Sequence, residues 1–342
     1  MGIIQNVTII IRNKMTDKVH LEVKNISKFF IKGDNLFANI TRSLGVGRKI
    51  EKVIALDNVS LKIKEGEIVG LVGESGCGKS TLGRIISGIL SPTKGKILYK
   101  GIEYNKLSKD ESLKIQMVFQ DPFASLNPRI RIKKIIGEAP LMHKLVSKKK
   151  IDQHVEKIMF QSGLDKKFVH RFPHQFSGGQ RQRIGIARAL AVFPHLLVCD
   201  EPVSALDVSI QAQIINLFMK IKNEMNISYL FISHDIGVIE HVSDRIFVMY
   251  LGRIIESGLT SDVINNPNHP YTQALLREAP KIKNYNQKFK TIEGEIPSPL
   301  NPPSGCHFHP RCSQAMDICK KIKPEYKKIS ENKFSACHLN DI

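Results

Sequence analysis

A glycine-rich segment with one lysine and one serine is the first group of residues whose spacing indicates chemistry. Residues 73–80, GESGCGKS, fit the pattern G-x-x-x-x-G-K-[ST]. Glycines let backbone N–H groups turn inward around phosphate oxygens, Lys79 can reach the terminal phosphates, and the Ser80 hydroxyl can bind Mg²⁺. An apolar run before it and a helical pattern after it are the context that such a loop requires. The predicted phosphate-binding residues are Gly73, Glu74, Ser75, Gly76, Cys77, Gly78, Lys79, Ser80 and Thr81.

Two carboxylates follow a second apolar run. Residues 196–199, LLVC, predict a buried strand, and Asp200 and Glu201 come directly after it. Asp200 is placed to hold Mg²⁺ through water, and Glu201 to orient or deprotonate an attacking water. Acids at a strand end are often only exposed surface, so this interpretation depends on the phosphate loop in the same chain.

The predicted secondary structure around these residues alternates between strands and helices. Residues 54–72 predict short strands with a turn at 64–66, and residues 195–199 and 229–232 predict two further strands. The helix between the latter two has a buried stripe formed by Ile210, Ile214, Leu217, Phe218, Ile221 and Met225. After Thr81, apolar spacing predicts a helix that continues through Leu90. The alternation predicts an α/β fold with a mostly parallel sheet.

Length and charge narrow the class of protein. A chain of 342 residues predicts one main domain plus an appendage. The net charge of +19 favours an anionic partner such as nucleic acid, phospholipid or nucleotide. No apolar run approaches the roughly 18 residues needed to span a bilayer, and no secretory signal is evident. We therefore expect a chain that stays in the cytoplasm and does not cross a membrane by itself.

Several motifs in one order make the chain resemble ATP-binding-cassette (ABC) ATPases. Gln120 lies in VFQDP, residues 176–180 are FSGGQ, residues 204–207 are SALD, and residues 233–235 are SHD. These resemble the family's Q-loop, signature motif, D-loop and switch histidine, although Phe176 stands where the family usually has leucine. The resemblance implies a RecA-like parallel sheet core with an antiparallel β subdomain and a helical insertion.

The resemblance also implies a role for each motif residue. The implied catalytic residues are Glu201, His234, Gln120 and Lys79. The implied Mg²⁺ ligands are Ser80, Gln120 and Asp200. The implied further ATP contacts are Phe30, Gln120, Ser177, Gly178, Gly179, Gln180, Asp207 and His234. Phe30 would stack on adenine, with Phe29 as the competing choice, and the signature motif would close on ATP held by a second ATPase subunit.

The end of the chain narrows the resemblance further. Residues 268–272, NHPYT, and 305–312, GCHFHPRC, are similar to the C-terminal extension of oligopeptide, dipeptide and nickel importer ATPases. The predicted divisions are an N-terminal extension at 1–18, an ABC ATPase domain at 19–265 and the C-terminal extension at 266–342. Within the ATPase domain we expect a helical subdomain at about 121–190 and a basic insertion at 35–53. That insertion makes the chain more like the second ATPase subunit of peptide systems than the first.

Four cysteines near the end of the chain suggest a metal site. Their spacing is C-x5-C-x6-C-x17-C, and they are Cys306, Cys312, Cys319 and Cys337. Reducing surroundings favour metal binding over disulfides. The spacing lacks the C-x2-C pairs of zinc ribbons, while four cysteines also suit a [4Fe–4S] cluster, so cluster, zinc and free thiols stay open. The resemblance implies the cluster. We further expect a proline-rich linker at 267–303, and expect loss of the metal to leave ATP binding at residues 73–81 intact.

The resemblance implies a peripheral subunit on the cytoplasmic side of the cell membrane that hydrolyses ATP to energise peptide import. Its implied partners are a second ATPase subunit (a paralogue or a second copy), two membrane-spanning permease subunits and an extracytoplasmic binding protein. Nickel or a metallophore stays open as the cargo. A nucleic-acid-associated ABC ATPase is favoured only by the charge, and with one phosphate loop and no long heptad tract we expect no nucleic-acid partner. A non-enzymatic regulatory subunit would have lost Lys79, Glu201 or His234.

Overall fold

The computed structural model describes residues 18–32, 51–278, 292 and 294–341. The strands are β1 (Val19–Lys32), β2 (Glu51–Lys64), β3 (Ile68–Val72), β4 (Lys94–Tyr99), β5 (Ile102–Glu103), β6 (Ile115–Val118), β7 (Leu196–Asp200), β8 (Ser228–Ser233), β9 (Arg245–Tyr250), β10 (Arg253–Leu259), β11 (Lys327–Ser330) and β12 (Lys333–Ser335). The α-helices are α1 (Lys79–Ile86), α2 (Lys109–Ser112), α3 (Ile132–Met142), α4 (Ile151–Gln161), α5 (Gly178–Leu190), α6 (Val208–Met225), α7 (Ile236–Val242), α8 (Thr260–Asn265), α9 (Pro270–Glu278) and α10 (Asp317–Lys321). The predicted N-terminal extension and the basic insertion lie almost wholly outside the described residues.

The larger sheet brings the predicted site residues to one edge. Its strand order is β11-β12-β10-β9-β3-β8-β7-β6, and β9, β3, β8, β7 and β6 are parallel. Since the carboxyl ends of parallel strands share an edge, the loops after β3, β6, β7 and β8 lie side by side. Those loops carry the phosphate loop, Gln120, Glu201 and His234. The predicted α/β fold with a mostly parallel sheet is confirmed.

A second, antiparallel sheet and a helical layer complete the main domain. The second sheet has the order β2-β1-β4-β5, and its buried side chains, such as Leu21 and Ile63, pack against α1 and β3. Residues 121–190 contain no strand and carry α3, α4 and α5, which pack on one another through buried residues such as Ile136, Val155 and Ile184. These are the antiparallel subdomain and helical insertion that the resemblance implies.

Helix α1 is shorter than the apolar spacing predicts. It ends at Ile86, and Gly88 follows with a φ of 72°. A glycine in the left-handed region just after the last turn ends a helix at little steric cost. Ile89 is consequently 55% exposed instead of lying on the buried stripe. The prediction that the helix runs through Leu90 is wrong.

The C-terminal segment is part of the core, and the expectation of a linker from residue 267 is wrong at its beginning. Helix α9 starts at Pro270, where a missing N–H is harmless, and Tyr271 is fully buried. Tyr271 packs against Tyr250 of β9 and against Phe308, with ring centroids 4.7 and 5.3 Å away. Strand β12 pairs with β10 and so extends the larger sheet. Among the described helices, none has the length and apolar character needed to cross a membrane.

Candidate active site

The phosphate loop joins β3 to α1 and has the backbone shape that its glycines permit. Gly76 and Gly78 have φ values of 80° and 109°. A Cβ on Gly78 would lie 2.4 Å from the carbonyl oxygen of Ala55, so a larger residue would displace the neighbouring strand. A Cβ on Gly76 would meet nothing within 4 Å, so this side of the loop is open. The loop can therefore admit a ligand against its backbone amides.

Lys79 places a buried positive charge within this loop. Its Nζ donates hydrogen bonds to the carbonyl oxygens of Gly73 at 2.6 Å and Glu74 at 3.0 Å. A buried ammonium is stable only with such acceptors or an anion beside it. These two hydrogen bonds hold the ammonium inside the loop.

Ser80 and Asp200 form a pair of oxygen ligands at the start of α1. The Ser80 hydroxyl donates to a carboxylate oxygen of Asp200 at 2.8 Å. Burial raises the pKa of Asp200, and the nearby Glu201 carboxylate adds to the rise. A cation bound here would reverse that effect by stabilising the charged carboxylate. Hydroxyl and carboxylate oxygens are ligands that Mg²⁺ prefers, so the residues fit the predicted ion.

Glu201 links two other predicted catalytic side chains. Its Oε2 accepts a hydrogen bond from Nε2 of Gln120 at 3.0 Å and lies 3.2 Å from Nδ1 of His234. Glu201 also has a φ of 44°, a conformation that costs a non-glycine residue about 1–3 kcal/mol. Its N–H donates to the carbonyl oxygen of Ile232, which helps to hold this backbone. The structure thus brings both Gln120 and His234 into direct contact with Glu201.

The signature motif lies at the start of α5. Ser177 caps the helix by accepting a hydrogen bond from the N–H of Gln180, whose side chain accepts one from the Ser177 N–H. Ser177 is exposed, and Gly178 and Gly179 form the first turn of the helix. Phe176 is buried and packs edge-on against Phe168 at 5.6 Å, so this aromatic replaces an apolar leucine without disturbing the helix start.

Two other predicted ATP contacts lie on exposed positions. Phe30 on β1 is 41% exposed, and Nζ of Lys28 lies 5.3 Å from its ring centroid. Phe29 is half-buried, with Nζ of Lys52 only 3.6 Å from its ring centroid. The more open ring is the better platform for a base, which favours Phe30. Asp207, exposed, directly precedes α6.

The C-terminal segment reaches the phosphate loop through two residues whose role the sequence did not predict. The hydroxyl of Tyr271 accepts a hydrogen bond from the N–H of Glu74 at 2.9 Å. Both terminal nitrogens of Arg311 donate to the Glu74 carboxylate, at 2.7 and 2.9 Å. Both residues lie in the C-terminal extension at 266–342, called the tail from here on, and in motifs that support the resemblance. Nothing in the spacing of these motifs indicates a partner near residue 74. The tail is therefore in direct contact with the phosphate loop, while the expectation that loss of a metal leaves ATP binding intact stays a prediction.

The four C-terminal cysteines are neighbours, but they do not form the predicted ligand set. Burial raises the pKa of the Cys306, Cys312 and Cys337 thiols, in the last case to about 11, and nearby thiols add to each rise. Within the residues that the structure describes, no group of three or more His, Cys, Asp or Glu side chains is placed to hold a metal ion. As placed, the cysteines do not fit a closed iron–sulfur site. Cys77 and Cys199 are buried among apolar side chains, as expected of small core residues.

Two protein-family models match this chain, and both agree with the arrangement of residues in the site. The fold and the motif residues define the class, an ABC ATPase, and residues 56–204 match the family model described as "ABC transporter". Residues 255–319 match "Oligopeptide/dipeptide transporter, C-terminal region". The chain therefore belongs to the ABC transporter family, and within it to the ATP-binding proteins that carry this C-terminal region. Its predicted family and its activity as an ATP-hydrolysing enzyme are confirmed.

Individual relatives show how far the similarity extends. "Oligopeptide transport ATP-binding protein AppF" of Bacillus subtilis is 48% identical over 327 residues, which are 93% of this chain and 97% of that protein. "Dipeptide transport ATP-binding protein DppF" of Haemophilus influenzae is 47% identical over 300 residues, 86% of this chain and 91% of that protein. A solved structure of the dimeric ATP-binding cassette MJ0796 bound to ADP and Pi matches with a TM-score of 0.58 and 31% identity, covering 70% of this chain and 98% of that one.

Proposed function

We propose that the chain hydrolyses ATP at the cytoplasmic face of the cell membrane to energise the import of peptides. Two permease subunits would carry the peptide, and an extracytoplasmic binding protein would deliver it. The observation that carries the proposal is the contact of Glu201 with Gln120 and His234 beside the Ser80–Asp200 pair. The names of the relatives, oligopeptide and dipeptide transport proteins, favour peptides over nickel or a metallophore.

The site residues divide the work of hydrolysis. Lys79 and the loop amides bind the terminal phosphates of ATP, while the ring of Phe30 stacks on the adenine base. Mg²⁺, held by Ser80, Gln120 and Asp200, would neutralise charge on the phosphate oxygens. Glu201 accepts a proton from the water that attacks the terminal phosphorus, and Gln120 and His234 orient that carboxylate. His234 then stabilises the charge that develops on the transferred phosphoryl group.

The signature motif acts on the nucleotide of a second ATPase subunit. Ser177 is exposed, and Gly178 and Gly179 lie in the first helical turn, whose N–H groups have no partner within a helix and suit an anion. We propose that these groups, with Gln180 and Asp207, close on ATP held by a paralogue or a second copy. The dimeric cassette among the similar structures supports this arrangement.

The two-subunit site is tested with Ser177→Arg. The larger side chain should fill the place of the partner's terminal phosphate, so ATP binding should survive while hydrolysis and ATP-dependent dimer formation fail. Ser147→Arg, at an exposed position between α3 and α4, adds the same charge away from the signature helix and should leave hydrolysis unchanged. If Ser177→Arg instead abolishes ATP binding by the isolated chain, Ser177 belongs to its own subunit's site.

The domain divisions follow the same proposal. We assign residues 19–265 to the ATPase domain, 121–190 to its helical subdomain, and 266–342 to the C-terminal extension. The helical subdomain has exposed apolar side chains at Phe123, Met142 and Phe160, which suit contact with the permease subunits. Its connection to Gln120 would couple ATP binding to movement of the permeases.

A [4Fe–4S] cluster at Cys306, Cys312, Cys319 and Cys337 is a separate proposal that rests on the number of cysteines, and it requires the four thiols to move closer together than the structure places them. No step of hydrolysis is assigned to it. Protein purified without oxygen should contain iron and acid-labile sulfide, and Cys312→Ser should lose both. Stoichiometric zinc without iron, or iron retained after all four cysteines are replaced, would exclude the cluster.

The transport function is tested on the intact complex. The chain should be purified with its permeases, second ATPase and binding protein, and reconstituted into vesicles. ATP should drive uptake of labelled dipeptides or oligopeptides, and Glu201→Gln should stop it. ATP-driven uptake of nickel alone would replace peptides by the alternative cargo. Hydrolysis that depends on DNA and not on the permeases would refute the transport proposal.

A further inference from the structure

Glu74 joins the C-terminal segment to the phosphate loop. Its N–H donates to the hydroxyl of Tyr271, its carboxylate accepts two hydrogen bonds from Arg311, and its carbonyl oxygen accepts one from Lys79. Two of these partners belong to the tail and the third is the lysine of the loop. The residue thus has tail contacts on one side and the predicted phosphate-binding lysine on the other.

The charge of Glu74 is unfavourable in a loop that binds phosphates. A carboxylate at the start of such a loop repels ATP, and burial strengthens the repulsion because solvent screens it less. Only 17% of the Glu74 side chain and 4% of the Arg311 side chain is exposed. The bidentate contact between the guanidinium of Arg311 and the Glu74 carboxylate is the geometry that binds a carboxylate most strongly. Arg311 therefore cancels this charge where water does so poorly.

The tail holds Arg311 firmly in this position. The N–H of Arg311 donates to the carbonyl oxygen of Phe308, and its Nη1 also donates to the hydroxyl of Tyr250 at 3.3 Å. Phe308 is buried and packs edge-on against Tyr250 and Tyr271. The aromatic cluster formed by the rings of Tyr250, Tyr271 and Phe308 thus positions both residues that contact Glu74, namely Tyr271 and Arg311.

We propose that Arg311 is a positioning residue of the nucleotide site, which neutralises the Glu74 carboxylate and, with Tyr271, lets the C-terminal segment set the affinity of the phosphate loop for ATP. This inference rests on the proposed role of residues 73–80 in ATP binding. It assigns the tail a role in that step beyond any effect on folding.

The proposal is tested by measuring the dissociation constants of ATP and ADP on the full chain. Arg311→Met should weaken ATP binding on the order of tenfold, as loss of a charge-assisted contact does, and should weaken ADP binding less because ADP carries less charge. Glu74→Gln should bind ATP more tightly than the native chain, because the positive charge of Arg311 is then no longer neutralised beside the phosphates. The double variant Glu74→Gln, Arg311→Met should regain most of the lost affinity, since no unpaired carboxylate remains.

A matched control separates this role from general support by the tail. Lys323 of the tail contacts Asp57 of β2 at 3.2 Å instead of Glu74, so Lys323→Met removes a tail ion pair without exposing the Glu74 carboxylate and should leave both dissociation constants unchanged. If Arg311→Met binds ATP like the native chain, or if Glu74→Gln does not tighten binding, the proposal is wrong. Should Arg311→Met not fold, Glu74→Gln alone decides. Failure of the native chain to bind ATP would instead refute the proposed function.

Discussion

The phosphate loop is held from two sides that differ in kind. On the catalytic side, Ser80 contacts Asp200, and the adjacent Glu201 contacts Gln120 and His234. On the tail side, Glu74 contacts Tyr271 and Arg311, which are 197 and 237 residues away in sequence. The catalytic side consists of polar groups that would act on the bound nucleotide. The tail side consists of the aromatic cluster around Tyr271 and the ion pair between Glu74 and Arg311, and both contact the loop itself.

This difference separates two effects on ATPase activity. Changes on the catalytic side should alter the rate of hydrolysis while nucleotide binding persists. Changes in the loop and the tail should alter affinity, because they move or recharge the groups that meet the phosphates.

Glu201→Gln should slow hydrolysis by roughly 10²–10⁴-fold, the range expected for loss of a general base. The amide keeps the size of the side chain and can still contact Gln120 and His234, so the affinity for ATP should persist. Steady-state hydrolysis in the assembled transporter and equilibrium ATP binding measure the two quantities. Glu240→Gln, at an exposed position on α7, is the control and should leave both unchanged. Normal hydrolysis by Glu201→Gln would mean that another group is the base.

Lys79→Ala should weaken ATP binding about ten- to a hundredfold, because it removes charge-assisted hydrogen bonds that contribute roughly 1.5–3 kcal/mol. Binding of a fluorescent ATP analogue to the isolated chain measures this loss. Lys109→Ala removes an exposed lysine at the start of α2 and should bind like the native chain. Unchanged affinity in Lys79→Ala would refute the assignment of the phosphate loop.

The catalytic side could be predicted from the sequence because its residues lie at strand ends. Once β3, β7 and β8 are recognised as neighbouring parallel strands, residues 73–80, Asp200, Glu201 and His234 must share one edge of the sheet. Local patterns of apolar residues are enough to find such strands. The order of the motifs along the chain then supplied their roles through the family resemblance.

The tail side could not be predicted, because its contacts depend on how distant segments pack. The proline-rich composition after residue 266 indicated a linker, but Tyr271 and Phe308 are buried beside Tyr250 of β9. Single aromatic residues among prolines give no periodic signal, so sequence patterns miss them. The early end of α1 has a similar cause, since one backbone conformation at Gly88 overrides the apolar spacing.

The tail side should also respond to acid through His269, which directly precedes α9. This ring is fully buried, and burial lowers its pKa to about 3. Its Nδ1 accepts a hydrogen bond from the N–H of Tyr271 at 3.0 Å, a role that requires the nitrogen to be unprotonated. Protonation would therefore remove an acceptor from the start of α9 and place a charge beside the aromatic group.

The direction in which stability changes with pH follows from proton binding by His269 in the unfolded and the folded chain. In the unfolded chain the imidazole binds a proton below pH 6.5, its ordinary pKa, whereas the folded ring stays neutral down to about pH 3. The folded state binds fewer protons within this window, so the free energy of unfolding rises with pH there and is level above it. His269 alone should contribute a loss of about 1 kcal/mol in the free energy of unfolding between pH 6.5 and 5.5.

His269→Asn keeps an acceptor for the Tyr271 N–H without a titrating ring, so it should remove that part of the loss. Denaturant unfolding at a series of pH values measures it, with exposed His241→Asn as the control. If His269→Asn loses stability with acid as steeply as the native chain, the buried ring does not make the tail side sensitive to pH.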